Sequence, residues 1–154
     1  MKAMDRRTFL KLAGAGSAVA AAAAIPAAGV LSLTGGRLSF RATAGVPARP
    51  LPAYATQIVE GNVDLAHGTG VITSQVFAGH TEGISDVALP GLSRVIRVTQ
   101  VERQGAVTRL RGVVDDRSSL QRGESAQVEV IVDQAHRTVV APLAAGRVTL
   151  ALGN

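Results

Sequence analysis

Few side chains in this sequence are able to hold a metal or move a proton. Its histidines are His67, His80 and His136, it has no cysteine, and its two methionines are Met1 and Met4. Thiolate zinc sites, iron–sulfur clusters, disulfides and cysteine nucleophiles are therefore excluded, and so are thioether copper ligands beyond the first few residues. A metal centre would have to combine imidazoles with carboxylates. His67 lies in the turn-like segment Asp64-Leu65-Ala66-His67-Gly68, and His80 in Gly79-His80-Thr81-Glu82-Gly83. His67 and His80 with Asp64, Glu82 and Asp86 are thus the set that would supply convergent donors if these loops meet. No His-x-His or His-x-x-x-His spacing places two of them on one element, and solvated loop histidines account for the same residues. No cofactor is assigned, and a metal held by these imidazoles and carboxylates is the alternative.

Other polar clusters reduce to turns. Asp115-Asp116-Arg117-Ser118-Ser119 followed by Gly123-Glu124-Ser125 has oxygen donors enough for calcium but lacks the alternating spacing of a calcium loop, so aspartates capping their own backbone amides are the expectation. Gly68-Thr69-Gly70 is too short for a phosphate loop and no helix follows it. Ser85, Asp86 and His80 include the residue types of a hydrolase triad, without a nucleophile elbow around the serine. Arg97, Arg109 and Arg111 are different. On a predicted hairpin of Arg94–Glu102 and Ala106–Val114 they share the outer face, where guanidinium groups grip carboxylates or phosphates, acidic glycans included. Glu102 and Glu129 lie near them in the pattern, so cross-strand ion pairing explains the same residues.

The elements that must position these side chains are strands. Val128, Val130 and Val132 alternate with Gln127, Glu129 and Asp133, and Val148, Leu150 and Leu152 repeat that period of two. Gln104-Gly105 supplies the positive-φ residue of the hairpin turn. Further strands are expected at Arg37–Thr43, Tyr54–Leu65, Gly70–Phe77, Ile84–Leu89 and Arg137–Ala141. Short apolar runs cut by Gly, Pro, Asp and Asn predict an all-β fold: a single antiparallel β-sandwich of about eight strands, with a closed eight-stranded β-barrel as the alternative. Pro47, Pro50 and Pro52 predict a stiff, extended connection. The expected division is a leader at 1–28, an edge strand with the Pro-rich connection at 29–52, and the β-domain at 53–154. No convincing internal repeat is visible, and after the leader no helix of three turns.

The leader itself carries a motif. Asp5-Arg6-Arg7-Thr8-Phe9-Leu10-Lys11 resembles the twin-arginine export signature through Arg6, Arg7, Phe9, Leu10 and Lys11, with Asp5 where that family more often has Ser or Thr. The uncharged stretch from residue 12 to 36 is rich in alanine and glycine, as the resemblance implies. Pro26-Ala27-Ala28 is the preferred cleavage region, and retention of the leader as a membrane anchor is the rival reading. The resemblance implies engagement of the twin-arginine translocase and a periplasmic or extracellular destination, often for a cargo already folded around a cofactor.

The charge balance predicts only a weak non-specific field for polyanions. Of the net +5, Lys2, Arg6, Arg7 and Lys11 against Asp5 supply +3, and from residue 12 onward twelve arginines face ten acids. Only Phe40, Tyr54 and Phe77 are aromatic beyond the leader, too few for a base-stacking platform, so nucleic acid is excluded as the expected partner. The expected function is an exported, non-enzymatic β-domain acting in binding or assembly at the cell envelope, with another envelope protein or an acidic glycan as partner. An exported metal-dependent enzyme or accessory subunit using His67 and His80, and a small-ligand carrier if the strands close into a barrel, are the alternatives.

Overall fold

A computed structural model describes residues 31–48, 53–79 and 87–153, with the side chains of 46–48, 53 and 54 left aside. The leader motif, His80, Glu82, Ser85, Asp86, Pro50 and Pro52 lie outside the described residues, as does the first half of the strand expected at Ile84–Leu89. Of that strand, Ala88 forms an isolated antiparallel bridge to Phe77.

Nine strands follow one another in sequence: β1 (Ser32–Thr34), β2 (Arg37–Ala48), β3 (Ala53–Asp64), β4 (Thr69–Ala78), β5 (Arg94–Gln104), β6 (Val107–Val114), β7 (Gln127–Asp133), β8 (Thr138–Leu143) and β9 (Gly146–Leu152). Each pairs antiparallel with the next, and β9 returns to β2 through Ala42↔Leu152 and Thr43↔Ala151. The result is a closed, eight-stranded, up-and-down barrel of β2 to β9, with β1 as an extra strand on the lower part of β2. Of the two expected arrangements the chain takes the barrel and not the sandwich. Uninterrupted nearest-neighbour pairing leaves no break at which two sheets would separate, and closure removes the edges an open sheet would expose. Arg37–Thr43, expected as an edge strand ahead of the domain, is the first part of barrel strand β2, which runs on to Ala48, and Pro47, expected in the connection, lies in it opposite Tyr54. Proline is tolerated there because the β9 pairing ends at Thr43, so that side of Pro47 needs no ladder hydrogen bond.

Alternation sends every second residue inward. Leu38, Phe40, Ala42, Val59, Val63, Ile72, Ile96, Val98, Leu110, Val130, Val132, Val139 and Leu150 fill the lumen with side chains almost wholly shielded from water. An interior of this size is a packed core rather than a ligand chamber. In β5 the register shifts between Val98 and Gln100, a bulge that leaves Thr99 as the extra residue and changes which residues beyond it face outward.

The barrel is two copies of one four-stranded unit, β2–β5 and β6–β9. Both units begin from a turn whose carbonyl, Gly36 or Ala106, accepts from Leu65 N–H at 2.8 Å or Gln134 N–H at 3.0 Å. Both place an arginine opposite a glutamate at the same register, Arg41↔Glu60 and Arg111↔Glu129. Both close their second hairpin with the same turn, Val63-Asp64-Leu65-Ala66-His67-Gly68-Thr69 and Val132-Asp133-Gln134-Ala135-His136-Arg137-Thr138. The left-handed residue of that turn is Gly68 (φ 65°) in one and Arg137 (φ 53°) in the other. Inside, the units solve one packing problem in two ways. Phe40 faces Gly61, where a Cβ would overlap the Phe40 ring, and the equivalent pair is Leu110 facing Val130. Large beside small in one copy replaces medium beside medium in the other, with seven side-chain carbons in each pair, so the two halves of the lumen are filled by different residues. This is the internal repeat that the sequence conceals.

Candidate functional site

Of the expected metal ligands only Asp64 and His67 lie among the described residues, and they satisfy each other. In the β3–β4 turn Asp64 Oδ1 accepts from the N–H groups of Ala66 and His67 at 3.0 and 3.1 Å, and Oδ2 meets His67 Nδ1 at 2.9 Å. Asp133 does the same for Ala135 and His136 in the β7–β8 turn, at 3.0, 3.0 and 2.8 Å. These hydrogen bonds from His67 and His136 hold the Asp64 and Asp133 carboxyls below their ordinary pKa. Both imidazoles are otherwise open to water, at 78% and 80% side-chain exposure, so each aspartate is a turn-former whose histidine cements it. Among the described residues no three His, Asp or Glu side chains converge as a metal site.

The Asp115–Ser125 segment also resolves into structure. Asp116 accepts from Ser118 N–H at 3.0 Å and from Ser118 Oγ at 2.5 Å, which lowers its pKa and caps the 3-10 turn Arg117–Ser119. Asp115 turns outward to Arg97 at 2.9 Å. Glu124 turns inward, and its two oxygens take Arg94 Nε at 2.7 Å and Arg94 Nη2 at 2.6 Å. Both side chains are 5% exposed, and Arg94 also donates to the carbonyls of Ser93 and Gly91. This pair clamps the β6–β7 connection to the β4–β5 connection at one end of the barrel. The Arg94 guanidinium, hydrogen-bonded to it, holds the Glu124 carboxyl below the usual carboxylate range.

A less balanced arrangement lies on the outer wall. Arg109 and Arg111, two residues apart on β6, project outward beside Glu129 of β7, and Arg147 reaches the same glutamate from β9. Glu129 Oε2 lies 3.3 Å from Arg111 Nε, and Glu129 Oε1 lies 3.6 Å from both Arg109 Nη1 and Arg147 Nη2. Glu102 adds a distant contact to Arg111, at 3.9 Å. Three guanidinium groups, each with five N–H donors, thus share one carboxylate, and none grips it bidentately as Arg94 grips Glu124. The first unit is an internal control. There Arg41 meets Glu60 one to one at 2.7 Å, and the positions equivalent to Arg109 and Arg147 are Ser39 and Val95. One arginine satisfies the glutamate, so Arg109 and Arg147 are additions specific to the second unit.

A groove of about 560 Å³ opens beside this cluster, with Arg111, Gln127, Glu129, Pro142, Ala145 and Arg147 among its walls. Its size falls within the roughly 300–1,000 Å³ of ordinary binding clefts.

Of the arginines singled out in the sequence, Arg109 and Arg111 come together here, while Arg97 is spent on Asp115. Arg147 escaped the sequence reading because nothing in local spacing links it to Glu129. Its position becomes meaningful only once the chain closes into a barrel and the two units are superposed strand by strand. Comparison with family models, curated proteins and solved structures finds no match to this chain.

Proposed function

We propose that the chain is an exported, non-enzymatic β-barrel module that binds an anionic group of another cell-envelope component through Arg109, Arg111 and Arg147. The observation that carries this reading is the surplus of guanidinium donors around Glu129, set beside the one-to-one Arg41–Glu60 pair at the equivalent place. Surplus cations at the rim of a groove favour a carboxylate or phosphate and disfavour water as their only partner. The filled lumen supports a surface mode of binding over a small-ligand carrier. The self-satisfied Asp64–His67 pair gives the metal-enzyme alternative no support. Export rests on Arg6, Arg7, Phe9, Leu10 and Lys11, whose pattern is the twin-arginine one.

The test is a calorimetric titration at low salt with a blocked tetraglutamate peptide and with an oligouronate. Arg109→Ser with Arg147→Val installs the residues of the first unit at both places. That double variant should bind each acidic probe about tenfold more weakly, the ratio expected when one or two charge-assisted hydrogen bonds are lost. Unchanged affinity would show that the cluster is only an ion-paired surface.

A further inference from the structure

The groove exists because the second unit opens where the first is closed. β3 pairs with β4 over ten residues, Ala55–Asp64, whereas β7 pairs with β8 over three, Ile131–Asp133. The ladder ends at Ile131↔Val140, and the next residues to exchange bonds would be Glu129 and Pro142. The equivalent residue of the first unit is Thr73, which pairs with Glu60, while Pro142 has no N–H to offer Glu129. The Pro142 carbonyl is drawn elsewhere, accepting from the buried Gln57 Nε2 at 3.1 Å. On its other side β7 is fully engaged, pairing with β6 over seven residues.

The phase of that pairing determines what faces the opening. Val114 N–H donates to the Ala126 carbonyl and Gln134 N–H to the Ala106 carbonyl, so the even-numbered residues of this segment bond to β6. Gln127 and Glu129 therefore direct their backbone groups toward β8. The Gln127 N–H is taken by Ser125 Oγ at 3.1 Å. The Glu129 and Gln127 carbonyls, which find no N–H on β8, are left facing the groove at strand spacing, beside Arg111 and Arg147.

We propose that this slot receives an extended peptide segment, which adds as a short strand to the Gln127–Glu129 edge and sets a carboxylate against Arg111 and Arg147. The proposal rests on the anion-binding reading above and names its ligand class. Backbone acceptors repeating along a strand match the N–H groups of an extended polypeptide, and the surplus positive charge matches an acidic residue or chain end. Pro142 keeps the slot open, since a residue with an N–H there would let β8 close on Glu129 as β4 closes on Glu60.

The probe is a blocked heptapeptide of alternating threonine and valine with a central aspartate. Companion probes carry asparagine instead, asparagine with a free C-terminal carboxylate, or the aspartate with alternate backbone N-methylation. Succinate and an oligouronate serve as non-peptide carboxylates. The aspartate peptide should bind about tenfold more tightly than succinate, the gain of one or two backbone hydrogen bonds, and N-methylation on the pairing edge should abolish that gain. The two carboxylate-bearing peptides identify whether side chain or chain end is preferred, and the asparagine peptide with blocked ends should bind most weakly. Pro142→Thr, which restores the residue of the first unit, should lose the peptide preference while keeping its affinity for succinate. The N-methylated probe keeps the proposal testable even if that variant is unstable. Peptide binding no tighter than succinate, insensitive to N-methylation, or matched by the oligouronate at the same site would overturn the docking slot while leaving the anion-binding reading intact. If Arg109→Ser with Arg147→Val affects no probe, the anion-binding reading fails as well.

Discussion

At the scale of single residues, charge is used in three distinct ways. Asp64 and Asp133 spend theirs on their own turns, Arg94 and Glu124 on a buried clamp, and Arg109, Arg111 and Arg147 on one shared glutamate that leaves them under-satisfied. The clamp makes a stability prediction. Arg94→Ala leaves Glu124 buried without its partner and should cost about 3 kcal/mol by chemical denaturation. Glu124 is also a pH handle. Its pKa is depressed in the folded state, so its contribution is fully present above the unfolded value, about 4.3 for glutamate. That contribution is lost as pH falls through the depressed folded value. Thermal melts should fall on acidification below about pH 4 in the wild-type protein and fall less steeply in Glu124→Gln, which has no carboxyl to protonate. Parallel pH profiles would contradict the clamp's electrostatic role.

At the scale of elements, the two copies of the four-stranded unit predict each other's tolerances. Gly61→Val should destabilise the barrel by about 2 kcal/mol, because the added side chain meets the Phe40 ring. Phe40→Leu should relieve that overlap by recreating the Leu110–Val130 pair, so the double variant should be more stable than Gly61→Val alone, a coupling read by a double-mutant cycle. Gly68→Ala should cost about 1 kcal/mol, since φ at this position is +65° although the space for a methyl is open. Strand positions were legible in the sequence because Val128–Val132 and Val148–Leu152 carry the period of two without interruption. The Gln104-Gly105 signal places the positive-φ residue correctly, with Gly105 at φ 60° in the two-residue turn Gly105-Ala106. The Thr99 bulge was not legible, because a single inserted residue leaves the composition of β5 unchanged. The repeat was hidden for a related reason: pairs such as Phe40 with Gly61 and Leu110 with Val130 divide the same side-chain carbons differently across the strands, so identity along the chain is lost. Arg109 and Arg111 were visible from local alternation. Arg147 was not, since it reaches Glu129 only through closure of the sheet.

At the scale of the whole molecule, a duplicated half-barrel offers one unit that keeps the closed form and one that departs from it. The differences, Ser39 against Arg109, Val95 against Arg147 and Thr73 against Pro142, all fall around Glu129 and its groove, which is why the anion-binding proposal is placed on that wall. Sandwich and barrel share the same strand pattern, so the choice between them depended on the pairing of β9 with β2, a long-range contact that periodicity does not encode. The proposed twin-arginine route makes its own prediction: replacing Arg6 and Arg7 by lysine should hold the precursor in the cytoplasm, as read by cell fractionation, and undiminished export would refute that route. The central claim is that Arg109, Arg111 and Arg147 form an anion-recognition face. It is tested most directly by titrating isotope-labelled protein with the blocked aspartate heptapeptide and following backbone amide and arginine Nε–H resonances. The account predicts shifts confined to Arg109, Arg111, Arg147 and the Gln127–Glu129 amides, with Arg41 and its Glu60 partner unmoved. Equal shifts at Arg41, or none at the Glu129 cluster, would contradict it.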